Sequence, residues 1–175
     1  VIVGGVAGGA TAAARLRRLD ESAEIIVLER TGFVSYANCG LPYYVGGVIP
    51  EKSSLTLQSP ESFRIRFNID VRVLSEVTAI DRESKTVAVR NLATGEEYSL
   101  PYDKLILSPG AKAMVPDTPG VHSKRVLKLR TVEDALEMRR IVEEEKPERA
   151  VVIGGGFIGL EAAENLMEAG VKVTL

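Results

Sequence analysis

An α/β fold is predicted by three observations: short β-branched runs that stop at glycine clusters, helix-favouring segments directly after them, and the recurrence of this pattern at both ends of the 175-residue chain. Val1-Ile2-Val3 runs into Gly4-Gly5, the pattern of a buried parallel strand before a tight turn. Gly9 to Leu19 is Ala-rich, with Ala13, Leu16 and Leu19 spaced for one buried helix face. Ile25 to Leu28 reads as a second buried strand, ending at Glu29. Together these make a strand–helix–strand unit of the expected size, about 30 residues.

Thr31 to Ser59 reads as irregular and is rich in Gly, Pro, Ser and Tyr; a stretch of that length inside a domain is usually functional. Pro60 to Phe67 reads as a short helix, and Ile69 to Leu74 and Val77 to Ile80 as strands. Thr86 to Arg90 and Glu97 to Leu100 flank Ala93-Thr94-Gly95 as a hairpin. Leu105 to Leu107 is a further buried strand, running into Ser108-Pro109-Gly110. Beyond the linker Pro116 to Gly120, an amphipathic helix is predicted over Thr131 to Glu145, opened by a threonine cap and ended by Pro147. Val151 to Ile153 begins the second strand–glycine–helix pattern, which reaches Ala169-Gly170 and a last strand over Val171 to Leu175. The expected layout is one doubly wound domain over residues 1–112, with a β-hairpin excursion, and the front of a second over 113–175. The chain starts inside one strand and stops on another, so it is expected to be a fragment of a longer polypeptide.

The 22 basic and 24 acidic residues nearly cancel, with no long block of one sign, which argues against a nucleic-acid or anionic-membrane partner. No apolar run approaches the roughly 20 residues that span a bilayer. One cysteine cannot form an internal disulfide, so a disulfide-stapled secreted domain is excluded and a reducing cytoplasm is the default. No metal site is expected.

The second glycine loop, Gly154-Gly155-Gly156-Phe157-Ile158-Gly159, satisfies G-x-G-x-x-G. The first glycine allows the tight turn, the second lets a pyrophosphate approach the backbone, and the third lets the helix pack close to the strand. The helix start then offers N–H groups and a favourable dipole to the anion. The preceding strand and following helix are the context that gives the pattern meaning. The first loop, Gly4-Gly5-Val6-Ala7-Gly8-Gly9, departs from it, with Val6 where the second glycine belongs. Glu29 closes the next strand at the right distance for a ribose 2′-hydroxyl. Either loop could also be a strand-to-helix turn that merely needs small residues.

Cys39 lies in Ser35-Tyr36-Ala37-Asn38-Cys39-Gly40-Leu41-Pro42-Tyr43-Tyr44, soon after the second strand. Segments leaving the carboxyl ends of strands in a doubly wound sheet line the ligand crevice. A thiol there is a candidate nucleophile, activated by a helix start or a cation. The alternative is an inert, buried small hydrophobe, the commoner fate of a free cysteine. His122, the one histidine, reads as a surface residue of the linker.

The first glycine loop, Val27-Leu28-Glu29-Arg30, the segment around Cys39, Ser108-Pro109-Gly110-Ala111 and the Gly154 loop occur in order. Together they resemble the single-cysteine branch of the pyridine nucleotide–disulfide oxidoreductases, and within it the coenzyme A disulfide reductases and their rhodanese-fused persulfide or polysulfide reductase relatives. The resemblance implies an enzyme that uses FAD and NAD(P)H to reduce a coenzyme A disulfide, persulfide or polysulfide at Cys39. It implies that Gly4, Gly5, Val6, Ala7, Gly8, Gly9, Glu29 and Arg30 hold FAD, with Val77, Ser108, Pro109 and Gly110 closing on it. Gly154, Gly156, Ile158 and Gly159 would receive NAD(P)H, with Phe157 as a gating aromatic and Glu161 near the flavin–nicotinamide junction. Thr11, Arg15, Arg18, Ser35, Asn38 and Arg66 would contact coenzyme A. Arg15 and Arg18 are also favourable at a helix C-terminus without any ligand. A homodimer through a C-terminal domain is implied as well. The alternative within the branch is an NADH oxidase or peroxidase that cycles the cysteine through sulfenic acid. Those relatives carry His where this chain has Ala7 and lack the Ala37-Asn38 pair.

Overall fold

A computed structural model describes all 175 residues. In chain order the elements are β1 (Ile2–Val3), α1 (Ala7–Leu19), β2 (Ile26–Leu28), α2 (Leu41–Val45), α3 (Pro60–Phe67), β3 (Asp70–Arg72), β4 (Ser75–Asp81), β5 (Thr86–Asn91), β6 (Glu97–Pro101), β7 (Ile106–Leu107), α4 (Val132–Arg140), β8 (Arg149–Val151), α5 (Phe157–Glu168) and β9 (Lys172–Thr174). They fall into two compact units, residues 1–36 with 56–110 and residues 37–55 with 111–175.

The first unit is built on a parallel sheet of order β3-β2-β1-β7. Ile26, Val27 and Leu28 are all buried, as expected of a strand covered on both faces. Their alternation splits the core. Ile25 and Val27 join Ile2, Ala10, Ala13, Phe63 and Ile69 on the face covered by α1 and α3. Ile26 and Leu28 meet Val87 and Val89 on the other face, from the antiparallel sheet β4-β5-β6. The predicted hairpin is β5–β6, whose turn is fixed by Asn91 Oδ1 accepting from the amides of Ala93 and Thr94. The α3 helix opens on a Ser59/Ser62 capping box with Pro60 at its first position, and stops at Asn68 in the left-handed region.

The buried face of α1 differs from the expectation. Gly9, Ala10 and Ala13 are buried, whereas Leu16 and Leu19 are exposed by 37% and 65%. The helix has 13 residues, about 20 Å of length, over strands of two and three residues, so only its first half lies against the sheet.

In the second unit, α4 opens on the predicted Thr131 cap, which forms a capping box with Asp134. Its last predicted turn, Ile141–Glu145, winds instead as a π-helical turn that ends at Lys146 in the left-handed region before Pro147. The strand expected at Val151 to Ile153 is displaced toward the N-terminus: β8 pairs Arg149–Val151 with β9, and Ile153 is exposed. Register explains this, because the partner residues Lys172–Thr174 give a last ladder bond at the Val152 amide. The stretch expected to be irregular carries two 3-10 turns, Asn38–Gly40 and Lys52–Ser54, and the short helix α2. Gly46, just past α2, lies against α5: a Cβ there would stand 2.5 Å from the carbonyl oxygen of Asn165. No helix is long and apolar enough to cross a membrane.

Candidate functional site

The two glycine loops share one construction. Gly4 has φ +95° and Gly154 φ +116°, so each loop opens on left-handed backbone. A Cβ on Gly9 would stand 1.7 Å from the Gly4 carbonyl oxygen, and one on Gly159 would stand 1.9 Å from that of Gly154. In both loops the third fingerprint glycine therefore rests on the carbonyl of the first. The amide of Ala10 donates to the Val6 carbonyl at 3.0 Å, and that of Leu160 to the Gly156 carbonyl at 2.9 Å, so α1 and α5 start at the same loop position. Neither helix has a side-chain cap or an acidic residue in its first turn, which leaves the first-turn N–H groups to an anion. Val6 has φ −99° and Gly156 φ −76°, so backbone conformation does not demand glycine at that position. The cradle fits a dinucleotide pyrophosphate at both loops.

Around the first loop, Ser108 and Glu29 fix its shape. The Ser108 amide donates to the Val3 carbonyl at 2.7 Å, and the Ser108 backbone fills the space where a Gly4 Cβ would stand. Pro109 and Gly110 follow as exposed residues. Glu29 is only 6% exposed. Its Oε2 accepts from the Gly5 amide at 2.7 Å, and its Oε1 accepts from the Thr31 amide and hydroxyl, each at 2.8 Å. A carboxylate has about four acceptor positions, so one is left for a ribose hydroxyl. Arg30 is largely exposed and pairs with Glu76 at 3.8 Å. The Val77 side chain packs on the cluster of Ile26 and Leu28, at a bulge in β4.

In the second loop, Gly154, Gly156, Phe157 and Ile158 are exposed, Phe157 by 87%, at the start of α5. Glu161 is half-buried one turn on, and its carbonyl accepts from Asn165 Nδ2 at 2.8 Å.

Cys39 is free and exposed, in the middle of the 3-10 turn that leads into α2. The thiol is thus not buried, unlike the small core hydrophobe of the alternative reading. Its neighbour Asn38 accepts at Oδ1 from Arg130 Nη1 at 3.1 Å, across 92 residues of sequence. No motif in the sequence marks Arg130 itself. The one signal near it is the Thr131–Asp134 capping box, which places a helix start beside it without giving the direction of its side chain.

The remaining candidates fall in the first unit. Thr11, Arg15 and Arg18 are exposed along one face of α1, spaced i, i+4 and i+7. Arg18 Nε also donates to the Ala14 carbonyl at 3.2 Å. Ser35 has φ +47°, an unusual value for a residue with a side chain, and is held there by its amide on the Gly5 carbonyl and its carbonyl on the Leu57 amide. Arg66 is exposed, with its guanidinium 5.5 Å from the centre of the Phe67 ring. His122 is exposed, and no group of residues has the make-up of a metal site.

Fold and loops together define a dinucleotide-binding α/β protein with an exposed single cysteine. The chain belongs to the pyridine nucleotide-disulphide oxidoreductase family, whose sequence profile matches residues 1–175. It is 41% identical to a coenzyme A disulfide reductase of Staphylococcus haemolyticus (strain JCSC1435), over the whole of this chain and 39% of that protein. Among solved structures it resembles reduced Bacillus anthracis CoADR-RHD, with 55% identity and a TM-score of 0.97 over 99% of this chain and 31% of that one. It also resembles an NAD-dependent persulfide reductase from A. fulgidus, with 40% identity and a TM-score of 0.89 over 98% of this chain and 32% of that one. The chain thus spans well under half the length of the relatives it matches.

Proposed function

We propose that this chain carries the nucleotide loops and the redox cysteine of an FAD- and NAD(P)H-dependent enzyme that reduces a coenzyme A disulfide, persulfide or polysulfide. The observation that carries the reading is Cys39, exposed in an ordered turn, in a chain with no second cysteine to form a dithiol pair. The Gly4 loop with Glu29 would hold the ADP part of FAD, and the Gly154 loop that of NAD(P)H. When bound, FAD supplies the two-electron relay between the nicotinamide and sulfur.

The thiolate of Cys39 attacks one sulfur of the substrate disulfide, forming a mixed disulfide and releasing one thiolate that takes up a proton. Two electrons, drawn from one NAD(P)H, then cleave the mixed disulfide and release the second thiol with the Cys39 thiolate regenerated. The balance is one disulfide, one NAD(P)H and one proton giving two thiols and NAD(P)⁺. Thr11, Arg15 and Arg18 offer a hydroxyl and two cations to an anionic substrate, with Ser35, Asn38 and Arg66 as further contacts. Phe157 would cover the flavin until nicotinamide enters, with Glu161 near their junction. A homodimer and a cytoplasmic location belong to the same reading, and rest on the family resemblance and the single thiol.

The test is anaerobic NADH titration of the full-length protein and of Cys39→Ser, with mass analysis of what is bound to Cys39 and of thiol released. Release of coenzyme A in the parent, with loss of disulfide reduction but a still reducible flavin in Cys39→Ser, is the expected result. Disulfide reduction that survives Cys39→Ser overturns the reading. Sulfenic acid at Cys39 with no thiol released favours an oxidase instead.

A further inference from the structure

The chemistry of the Arg130–Asn38 contact fixes an orientation. A guanidinium has N–H donors and no acceptor, so the Asn38 atom against Arg130 Nη1 must be the amide oxygen. The two ends of an asparagine amide are otherwise interchangeable by rotation, and this contact selects one of them. With Oδ1 engaged, the NH₂ half of Asn38 is turned away from Arg130, one residue before the Cys39 sulfur.

Arg130 is itself held at three points. Its amide donates to Asp134 Oδ2 at 2.9 Å, its Nε to the Ala111 carbonyl at 3.2 Å, and its Nη1 to Asn38. Asp134 also closes the capping box of α4, so the start of that helix and the Arg130 backbone are fixed by one carboxylate. At the other end of α4, Arg139 Nη1 donates to the Tyr44 carbonyl at 2.8 Å, and its guanidinium lies 5.6 Å from the centre of the Tyr44 ring. Two arginines, one just before α4 and one within its last turn, thus grip both ends of the segment that carries Cys39.

We infer that Arg130 is a positioning residue for the sulfur chemistry: it locks the Asn38 amide with its N–H groups available to the thiolate that develops when the substrate disulfide is attacked. This rests on the disulfide-reductase reading and adds to it a residue outside the cysteine segment. A released amide could turn its oxygen toward the thiolate, where like partial charges repel.

The experiment uses the full-length holoenzyme, five variants (Arg130→Met, Arg130→Lys, Asn38→Ala, the Arg130→Met/Asn38→Ala double variant and Asn38→Asp), and Cys39→Ser as a control. The carboxylate introduced by Asn38→Asp keeps an oxygen for Arg130 but carries no N–H donor, so it tests the donor without dismantling the contact. Arg130→Met and Asn38→Asp are each expected to lower kcat for disulfide reduction about tenfold, a loss of the size given by one hydrogen bond to a charged group. KM should change less than kcat. Arg130→Met in the Asn38→Ala background should add little, because the two residues act as one unit. Arg130→Lys, which can still donate to Oδ1, should restore part of the rate. NADH reduction of the flavin in each variant reports an intact protein. Full additivity of the two single losses, or Asn38→Asp with parental kcat, overturns the inference. Disulfide reduction by Cys39→Ser, by contrast, overturns the underlying reading whatever Arg130 does. If Arg130→Met does not fold, Asn38→Asp alone decides.

Discussion

Gly9 rests on the carbonyl of Gly4, so closely that a Cβ on Gly9 would stand 1.7 Å from that oxygen. The atom that must move is backbone, in a turn already committed to left-handed φ at Gly4. Gly9→Ala is therefore expected to push α1 off the sheet, with about 3 kcal/mol of destabilisation and loss of bound flavin. Gly159→Ala meets the same obstacle at Gly154 but in the other unit. It should retain flavin while the KM for NAD(P)H rises about tenfold, equivalent to about 1.4 kcal/mol. Flavin content and NAD(P)H kinetics of the two purified variants check this. Loss of flavin in Gly159→Ala would show the loops are assigned to the wrong nucleotides.

Glu29 holds the first loop to the segment after β2 through donors on Gly5 and Thr31. Glu29→Gln keeps the shape but turns one acceptor into an NH₂ that must face either the Gly5 N–H or the Thr31 donors. A buried donor facing a donor leaves both unsatisfied, so about 1–3 kcal/mol of stability should be lost. Thr31→Val removes one of the three bonds and should cost about 1 kcal/mol or less. Denaturant unfolding of both variants, followed through the flavin signal, measures the difference. Equal midpoints for Glu29→Gln and the parent would remove Glu29 from the loop's support.

Arg15 and Arg18 present two cations on one exposed face of α1, beside Thr11. If they bind an anionic substrate, Arg15→Ala or Arg18→Ala should raise KM for the disulfide about tenfold with little change in kcat. The parental KM should also climb with salt, because the screening length is about 10 Å at 0.1 M, and the variants should show a flatter dependence. If the arginines serve only the helix end, KM and its salt dependence stay as in the parent.

The parts of this chain that were legible in sequence are those with a local physical signature. Buried strands declare themselves as β-branched runs, as Ile26–Leu28 does, and the glycine loops as positions where a Cβ has no room. A threonine cap marked the start of α4. What could not be read depends on partners far along the chain. The Leu16 and Leu19 pattern suits a buried face, but the sheet beneath α1 is too short to cover them. The exposure of Cys39 was not legible either, because exposure is a tertiary property. The capping box beside Arg130 gave no direction for its side chain, because its contact with Asn38 spans 92 residues of sequence.

Arg17 shows how three arginines on one helix divide their work. Unlike Arg15 and Arg18 it is half-buried, and its guanidinium closes the ends of two helices at once. Nε and Nη2 donate to the carbonyls of Phe67, the last residue of α3, and of Asn68, its C-cap, at 2.7 and 2.9 Å. Nη1 donates to those of Asp20 and Glu21 at 3.2 and 2.7 Å, past the end of α1. Terminal carbonyls of a helix lack intrahelical partners, and a planar fork can serve several of them together. Arg17→Ala leaves them to water and removes the tie between α1 and α3, which should lower stability by about 2–3 kcal/mol. Arg17→Lys should recover less than half of that, because one ammonium cannot span both helix ends. KM for the disulfide should stay within about twofold of the parent, in contrast to Arg15→Ala and Arg18→Ala. Hydrogen exchange at the amides of Asn68 and Ile69, alongside disulfide kinetics, separates the two roles. Faster exchange with normal KM supports the tie, and a raised KM with normal exchange would move Arg17 to the binding face.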